Sequence, residues 1–266
     1  MIVPVDPYFL FVLATKMAIA VGFVIAATVI AERAGPLIGA LIVTLPISAG
    51  PAYVFIALDH DAPFVAGAAL ASVLNNVPTV LYTVAFVLLA QRFGVFASVG
   101  AGLSVWLVST LLLNQVSWAL LPAILLNVVA VAVFLPVVRR FQHAPIPRLP
   151  LRFSELVVRA IIVAVLIAAV VTLSFTIGPA KTGILASFPA TFTSTMVILQ
   201  RRIGGKAAAA VMAHSLMGLL GFSLCVAVLY LTVVPLGRTA GLLLALAFSM
   251  SWNFGLLMLR RAGLEL

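Results

Sequence analysis

From about residue 8 to residue 259 the chain is a succession of apolar runs of roughly twenty residues, separated by brief polar or Gly/Pro punctuation. Wound as an α-helix at about 1.5 Å per residue, each run is long enough to cross a hydrocarbon core of about 30 Å. The pattern predicts nine membrane spans, near residues 8–31, 36–58, 63–90, 95–113, 118–138, 154–176, 179–200, 206–230 and 237–259. Apart from residues 143–153 the connections are only a few residues long, which leaves no room for a soluble domain. The expected fold is an all-α polytopic membrane protein, with residues 1–266 forming a single membrane domain.

Composition agrees with that expectation: 65% of the residues are hydrophobic and 8% charged, with a mean hydropathy of +1.32. Soluble domains carry about a quarter charged residues. The net charge of +9 would suggest a nucleic-acid partner in a soluble protein, but here the placement of the cations excludes that reading. Arg33, Arg92, Arg139, Arg140, Arg148, Arg152, Arg201, Arg202, Lys206, Arg260 and Arg261 fall in the loops after spans 1, 3, 5 and 7 or in the C-terminal tail, whereas the opposite loops hold only Arg238. Basic loops stay cytoplasmic. The expected setting is a multi-pass protein of the inner (plasma) membrane, with the N-terminus outside and the C-terminus in the cytoplasm. The opening residues MIVPVDPYFL lack a basic stretch and a small-residue cleavage site, so no removable signal peptide is expected. The single cysteine, Cys225, lies inside an apolar run, where packing is its expected role.

Sliding the sequence against itself by 143 residues superposes Gly35-Pro36 on Gly178-Pro179, Pro46 on Pro189, Gly94 on Gly237 and Lys16 on Arg159, without a gap. The segment AGPLIGALIVTLPISAG thus lies over IGPAKTGILASFPATFT. This predicts two four-helix repeats, about 8–113 and 154–259, joined by a linker span at 118–138. Five crossings separate their starts, so the copies enter the membrane from opposite faces. Inverted repeats are a recurring plan of secondary transporters, whose substrate site lies near the midplane where broken helices meet.

Pro46 follows Pro36 by ten residues, and Pro189 follows Pro179 by ten, which places each about 15 Å into the membrane. A proline there removes a helical hydrogen bond and clashes with the preceding turn, so spans 2 and 7 are expected to break. A helix restarting at the break points unpaired amides and a partial positive charge into it, a natural place for an anion. Hydroxyls gather at both breaks: Thr44 and Ser48 in the first copy, Ser187, Thr191, Thr193, Ser194 and Thr195 in the second. They are candidate solute ligands; the competing expectation is that they bond back to their own helix.

Ionisable and amide residues within the spans complete the candidate site. Lys16 lies inside span 1, and Glu32, Glu155 and Asp59 all fall at span ends, so no acidic partner is expected at its depth. That leaves Lys16 paired to a carbonyl, deprotonated by burial, or free to meet an anion. Arg159 and Lys181 lie near span ends, where a long side chain can instead reach the headgroups. Asn75, Asn76 and Pro78 are expected to interrupt span 3, as Gly218 and Gly221 loosen span 8. The asparagines, with Asn127 and Asn253, can equally bond between helices. His214 is a candidate for proton-linked chemistry or a packing residue. Three histidines and one cysteine, scattered along the chain, provide no metal-site spacing. Neither a phosphate-binding loop nor a hydrolase nucleophile elbow occurs, so no cofactor and no ATP-driven step are expected.

The stretch FPATFTSTMVILQRRIGGKAA, a Phe-Pro break followed by hydroxyl residues and a basic loop, resembles the small four-span GlpM-like membrane proteins. LPISAGPAYVFIALDHDAPFVAG in the first copy looks like a diverged version, with Leu45 in place of the aromatic. The resemblance spans about 100 residues per copy and implies a duplicated four-helix unit. Together these features predict a secondary transporter that moves a small anionic or zwitterionic solute by alternating access. A channel or facilitator, or an intramembrane enzyme or accessory subunit acting on a lipid-like substrate, is the alternative. The expected partners are the small-molecule solute, the lipid bilayer and, as a candidate, a second copy of the chain in a homodimer.

Overall fold

The computed structural model describes residues 7–33, 49–145 and 152–262. Gly35, Pro36, Thr44, Pro46, Ser48 and Arg148 lie outside the described residues. Among those described, the secondary structure is helical, without a strand. In chain order the helices are α1 (Pro7–Arg33), α2 (Ala49–Asp59), α3 (Ala62–Leu89), α4 (Val95–Leu113), α5 (Leu120–Arg139), α6 (Phe153–Ala186), α7 (Ala190–Ala213), α8 (Leu216–Leu236) and α9 (Arg238–Arg261).

Seven stretches among the described residues are long and apolar enough to cross a membrane. One of them, Phe153–Ala213, is 61 residues long, enough helix for more than one crossing. Polarity is distributed inside out. Leu10, Phe11, Phe96, Leu107, Leu121 and Leu243 are exposed, while Ser72, Asn75, Asn76, Thr83 and Asn127 are fully or almost fully buried. Such a surface has no place in water and suits lipid, which offers polar groups no partners and so drives them to one another inside. The chain is an all-α, multi-pass membrane protein.

Contacts divide the described chain into two compact units, and each takes segments from both halves of the sequence. The first draws on Met1–Ser72, Leu151–Thr191 and Cys225–Glu265. In it α1 packs along α6, and α2 packs on α6, α1 and α9. The chain of α6 turns sharply at Gly178 (φ 77°, ψ 172°), a conformation essentially restricted to glycine, and resumes as a short helix of residues 179–186. That short helix lies tightly against α3. A Cβ on Gly183 would overlap the Ala68 carbonyl, and one on Gly67 would meet Pro179 Cβ at 3.0 Å. Small residues let helix backbones approach in lipid, where dispersion and hydrogen bonds replace the hydrophobic drive.

The second unit draws on Val73–Pro150 and Phe192–Leu224. Its core is a polar ladder on α3. Thr110 Oγ1 donates to Asn75 Oδ1 at 2.8 Å, Asn76 Nδ2 donates to Asn127 Oδ1 at 2.8 Å and to the Leu219 carbonyl at 3.1 Å, and Asn127 Nδ2 reaches the Val73 carbonyl at 2.8 Å. Gly204 (φ 80°, ψ 167°) provides a second left-handed turn. Directly after it Gly205 meets the turn just past the end of α3, where an added Cβ would overlap the Ala90 carbonyl.

The helix breaks differ in part from the expectations. Helix ends at Ala186 and restarts at Ala190, so Pro189 interrupts its helix as expected. Pro78 does not: α3 runs unbroken through it from Ala62 to Leu89. Most of α3 is buried by neighbouring helices, and such an environment tolerates the lost hydrogen bond. In the eighth expected span the break falls at His214–Ser215, between α7 and α8, rather than at Gly218 or Gly221, which are helical.

Candidate functional site

Charge inside the first unit is concentrated where α2 ends. Lys16 points from α1 into the protein and is only 8% exposed. Its Nζ donates to Asp59 Oδ1 in a salt bridge. This corrects the expectation that Lys16 has no acidic partner. Asp59 does close its helix, but the C-terminal end of α2 lies beside the N-terminal half of α1, and the four-carbon lysine stem covers the remaining distance. The ammonium also stands 5.9 Å from the Phe55 ring centroid, at the outer limit of a cation–π contact. The second carboxylate oxygen, Asp59 Oδ2, is buried and has no hydrogen-bond partner among the described residues.

A carboxylate at a helix C-terminus is opposed by the helix's own negative end, so cations are needed there. Arg238, the first residue of α9, answers part of that need. Its guanidinium donates to the carbonyls of Ala57 and His60, both at 2.7 Å, satisfying acceptors that the end of α2 leaves open. On the other side of the turn Asp61 caps α3, its Oδ1 accepting from the Phe64 amide at 3.0 Å.

His60 occupies the turn itself. Its Nε2 lies 2.8 Å from Ser174 Oγ, and Ser174 directs its own proton to the Val171 carbonyl at 3.0 Å. The consistent assignment has Nε2 donating to Ser174, an inference from the bonding pattern. The imidazole stacks on Phe64, with ring centroids 3.8 Å apart, and leans on Phe175 at 4.8 Å. Burial among these rings lowers the His60 pKa below 6.5; Asp59 and Asp61 oppose the shift and Lys16 adds to it. The ring is therefore neutral at pH 7.

Of the hydroxyls expected at the second break, Ser187 bonds back to the Ile184 carbonyl at 3.0 Å, the local pairing usual for serine in a helix. Thr193 Oγ1 accepts from Tyr82 OH at 2.9 Å. Ser194 and Pro189 are buried and Thr191 half-buried. Just before the break, Ser72 Oγ donates to the Gly183 carbonyl at 2.7 Å, and Tyr53 OH reaches Ser72 Oγ at 2.6 Å. Tyr53, Ser72 and Gly183 thus form one hydrogen-bonded line from α2 across α3 to the short helix.

Compared with protein-family models, curated proteins and solved structures, the chain matches none.

The remaining candidates are dispersed. Asn75 and Asn76 belong to the interhelical ladder of the second unit, where they bond to Thr110, Asn127 and the Leu219 carbonyl. Arg159 is half-buried near the start of α6, Lys181 is exposed, and His214 is half-buried at the turn between α7 and α8. Sequence reasoning missed His60, Ser174 and Arg238 as neighbours of the Lys16–Asp59 pair. One signal was available: Asp59-His60-Asp61 places three titratable residues in succession in a chain with 8% charged residues.

Proposed function

We propose that the chain is a secondary transporter of the inner (plasma) membrane that carries a small anionic or zwitterionic solute by alternating access. The observation that carries the proposal is the interruption at Ser187-Phe188-Pro189, a non-helical step between α6 and α7 within a stretch long and apolar enough to cross a membrane. Backbone groups released at such a step must be buried in protein or face water, which is why broken helices mark solute paths in transporters.

Nine spans in two inverted repeats are part of this proposal, and the helix ends support them. Adding 143 carries α2 (Ala49–Asp59) onto residues 192–202 of α7, the first residue of α3 onto Gly205, and the first residue of α4 onto Arg238. In the second copy the residues before those last two helix starts are Gly204 and Gly237, both with positive φ; in the first they are Asp61 and Gly94. The same punctuation at the same spacing is what a duplicated four-helix unit, of the kind resembled by GlpM-like proteins, would leave. The cation distribution supports an outside N-terminus and a cytoplasmic C-terminus.

The test is solute counterflow into liposomes holding the purified full chain, with radiolabelled organic anions and amino acids as probes. Saturable counterflow that falls when Thr191 and Thr193 are replaced by valine is expected. Flux that never saturates, together with single-channel currents, would overturn the reading in favour of a channel. Absence of flux for every probe would remove transport altogether.

A further inference from the structure

We propose that the Lys16–Asp59 pair is the recognition site for the solute's charged groups, and that the solute is a zwitterion carrying a cationic nitrogen and a carboxylate a few bonds apart. The inference rests on the transporter reading and narrows it to one substrate class.

Among the described residues the charges around the α2–α3 turn balance. Lys16 and Arg238 are cations, Asp59 and Asp61 are anions, and His60 is held neutral by burial. Two of the four are committed to backbone: Arg238 to the carbonyls of Ala57 and His60, Asp61 to the Phe64 amide. Lys16 and Asp59 are joined to each other through their side chains. Each has unused capacity, because an ammonium has three donors and one serves Asp59, and Asp59 Oδ2 is buried with no partner among the described residues. The pair therefore offers a donor and an acceptor side by side, with the Phe55 ring adjoining.

Charge balance selects the guest. A simple anion would draw Lys16 away from Asp59 and leave a buried carboxylate without its counter-ion. A simple cation would strand the ammonium in the same way. Breaking one side of a buried pair is strongly unfavourable, because the charge left behind is desolvated and uncompensated. A zwitterion replaces both partners at once: its carboxylate takes Lys16, its cationic nitrogen takes Asp59 Oδ2, one ion pair becomes two, and no charge stands alone. The loaded site keeps the net charge of the empty one, which also spares the moving segment an unpaired charge in the membrane. The side chains of Lys16 and Asp59 are 11% and 15% exposed, so most of the pair is covered by the protein.

The experiment uses the full chain, in detergent for thermal stabilisation and in liposomes for counterflow. Glycine, β-alanine, γ-aminobutyrate and glycine betaine are the zwitterionic probes; acetate and methylammonium are the singly charged ones. Zwitterions are expected to raise the midpoint of unfolding and to exchange saturably, with one charge spacing favoured, whereas acetate and methylammonium at about tenfold higher concentration do neither. Because a single neutralisation can fail to fold, the variant to compare is Lys16→Met/Asp59→Leu, which removes both charges together. It is expected to stay monodisperse and to bind the favoured zwitterion at least tenfold more weakly. Acetate acting as well as glycine, a double variant that binds like the wild type, or no response to any zwitterion would each overturn the proposal. If a probe of another class shows saturable counterflow that the double variant retains, transport stands and this site assignment alone fails. If no probe of any class moves, both fail together.

Discussion

Gly183 lies so close to Ala68 that a methyl group on the glycine would overlap the Ala68 carbonyl oxygen. That carbonyl is backbone in the enclosed helix α3 and has no room to yield. Gly183→Ala should therefore destabilise the protein by about 1–3 kcal/mol, the usual effect of overpacking a close contact. Gly22, with nothing within 4 Å of its added Cβ, is the control. Gly22→Ala should be neutral or gain up to about 1 kcal/mol from helix propensity. Thermal unfolding in detergent compares the two; equal effects would mean that the α3 contact does not hold the short helix.

The Lys16–Asp59 pair predicts a non-additive series. Lys16→Met leaves the Asp59 carboxylate buried without its ammonium, and Asp59→Leu does the converse. Each should cost about 3–5 kcal/mol, whereas Lys16→Met/Asp59→Leu should be close to neutral. Unfolding midpoints of the three variants provide the check. Additive losses would show that the two side chains do not depend on each other.

His60 predicts a dependence on acidity. Burial, opposed by Asp59 and Asp61, lowers its pKa below 6.5 in the folded chain. Just below pH 6.5 the unfolded state then binds the more protons, so stability rises with pH in that window. The contribution is complete above 6.5, and it is lost as pH falls from there toward the folded value. Wild type should lose stability on acidification from about pH 7 to about pH 5 more steeply than His60→Gln, which keeps a donor for Ser174 and does not titrate. Parallel pH profiles for the two proteins would remove His60 as the cause.

Orientation is open to labelling. In a Cys225→Ala background, a cysteine at Asp61, which is exposed, should react with a membrane-impermeant maleimide in intact cells, and one at Arg148 should not. The reverse result would invert the topology inferred from the basic loops.

Much of the helix plan was readable because single residues impose it. The expected span 95–113 coincides with α4 (Val95–Leu113), and the Gly178-Pro179 pair marks the turn in α6, since glycine alone takes that backbone conformation readily and proline starts a helix well. Pro78 misled, because whether proline breaks a helix depends on the neighbours that enclose it. The turn at His214–Ser215 carries neither glycine nor proline, so nothing local announced it. The Lys16–Asp59 contact joins residues 43 apart; which helix ends meet is decided by packing between helices, and no periodicity along the chain encodes that. Thr44, Pro46 and Ser48, the first-copy half of the expected site, fall outside the described residues.

The short helix at residues 179–186 bears on how the chain can be made. Eight residues of helix extend about 12 Å, less than half a hydrocarbon core, so a translocon has no free-standing span to release there. Its Gly183 carbonyl accepts from the Ser187 amide at 3.0 Å and also from Ser72 Oγ at 2.7 Å, and the second bond ties the short helix to α3. Ser72 leaves the ribosome more than a hundred residues earlier. The α3 surface that receives the short helix, through Ser72 and Ala68, is thus synthesised before the segment that docks on it.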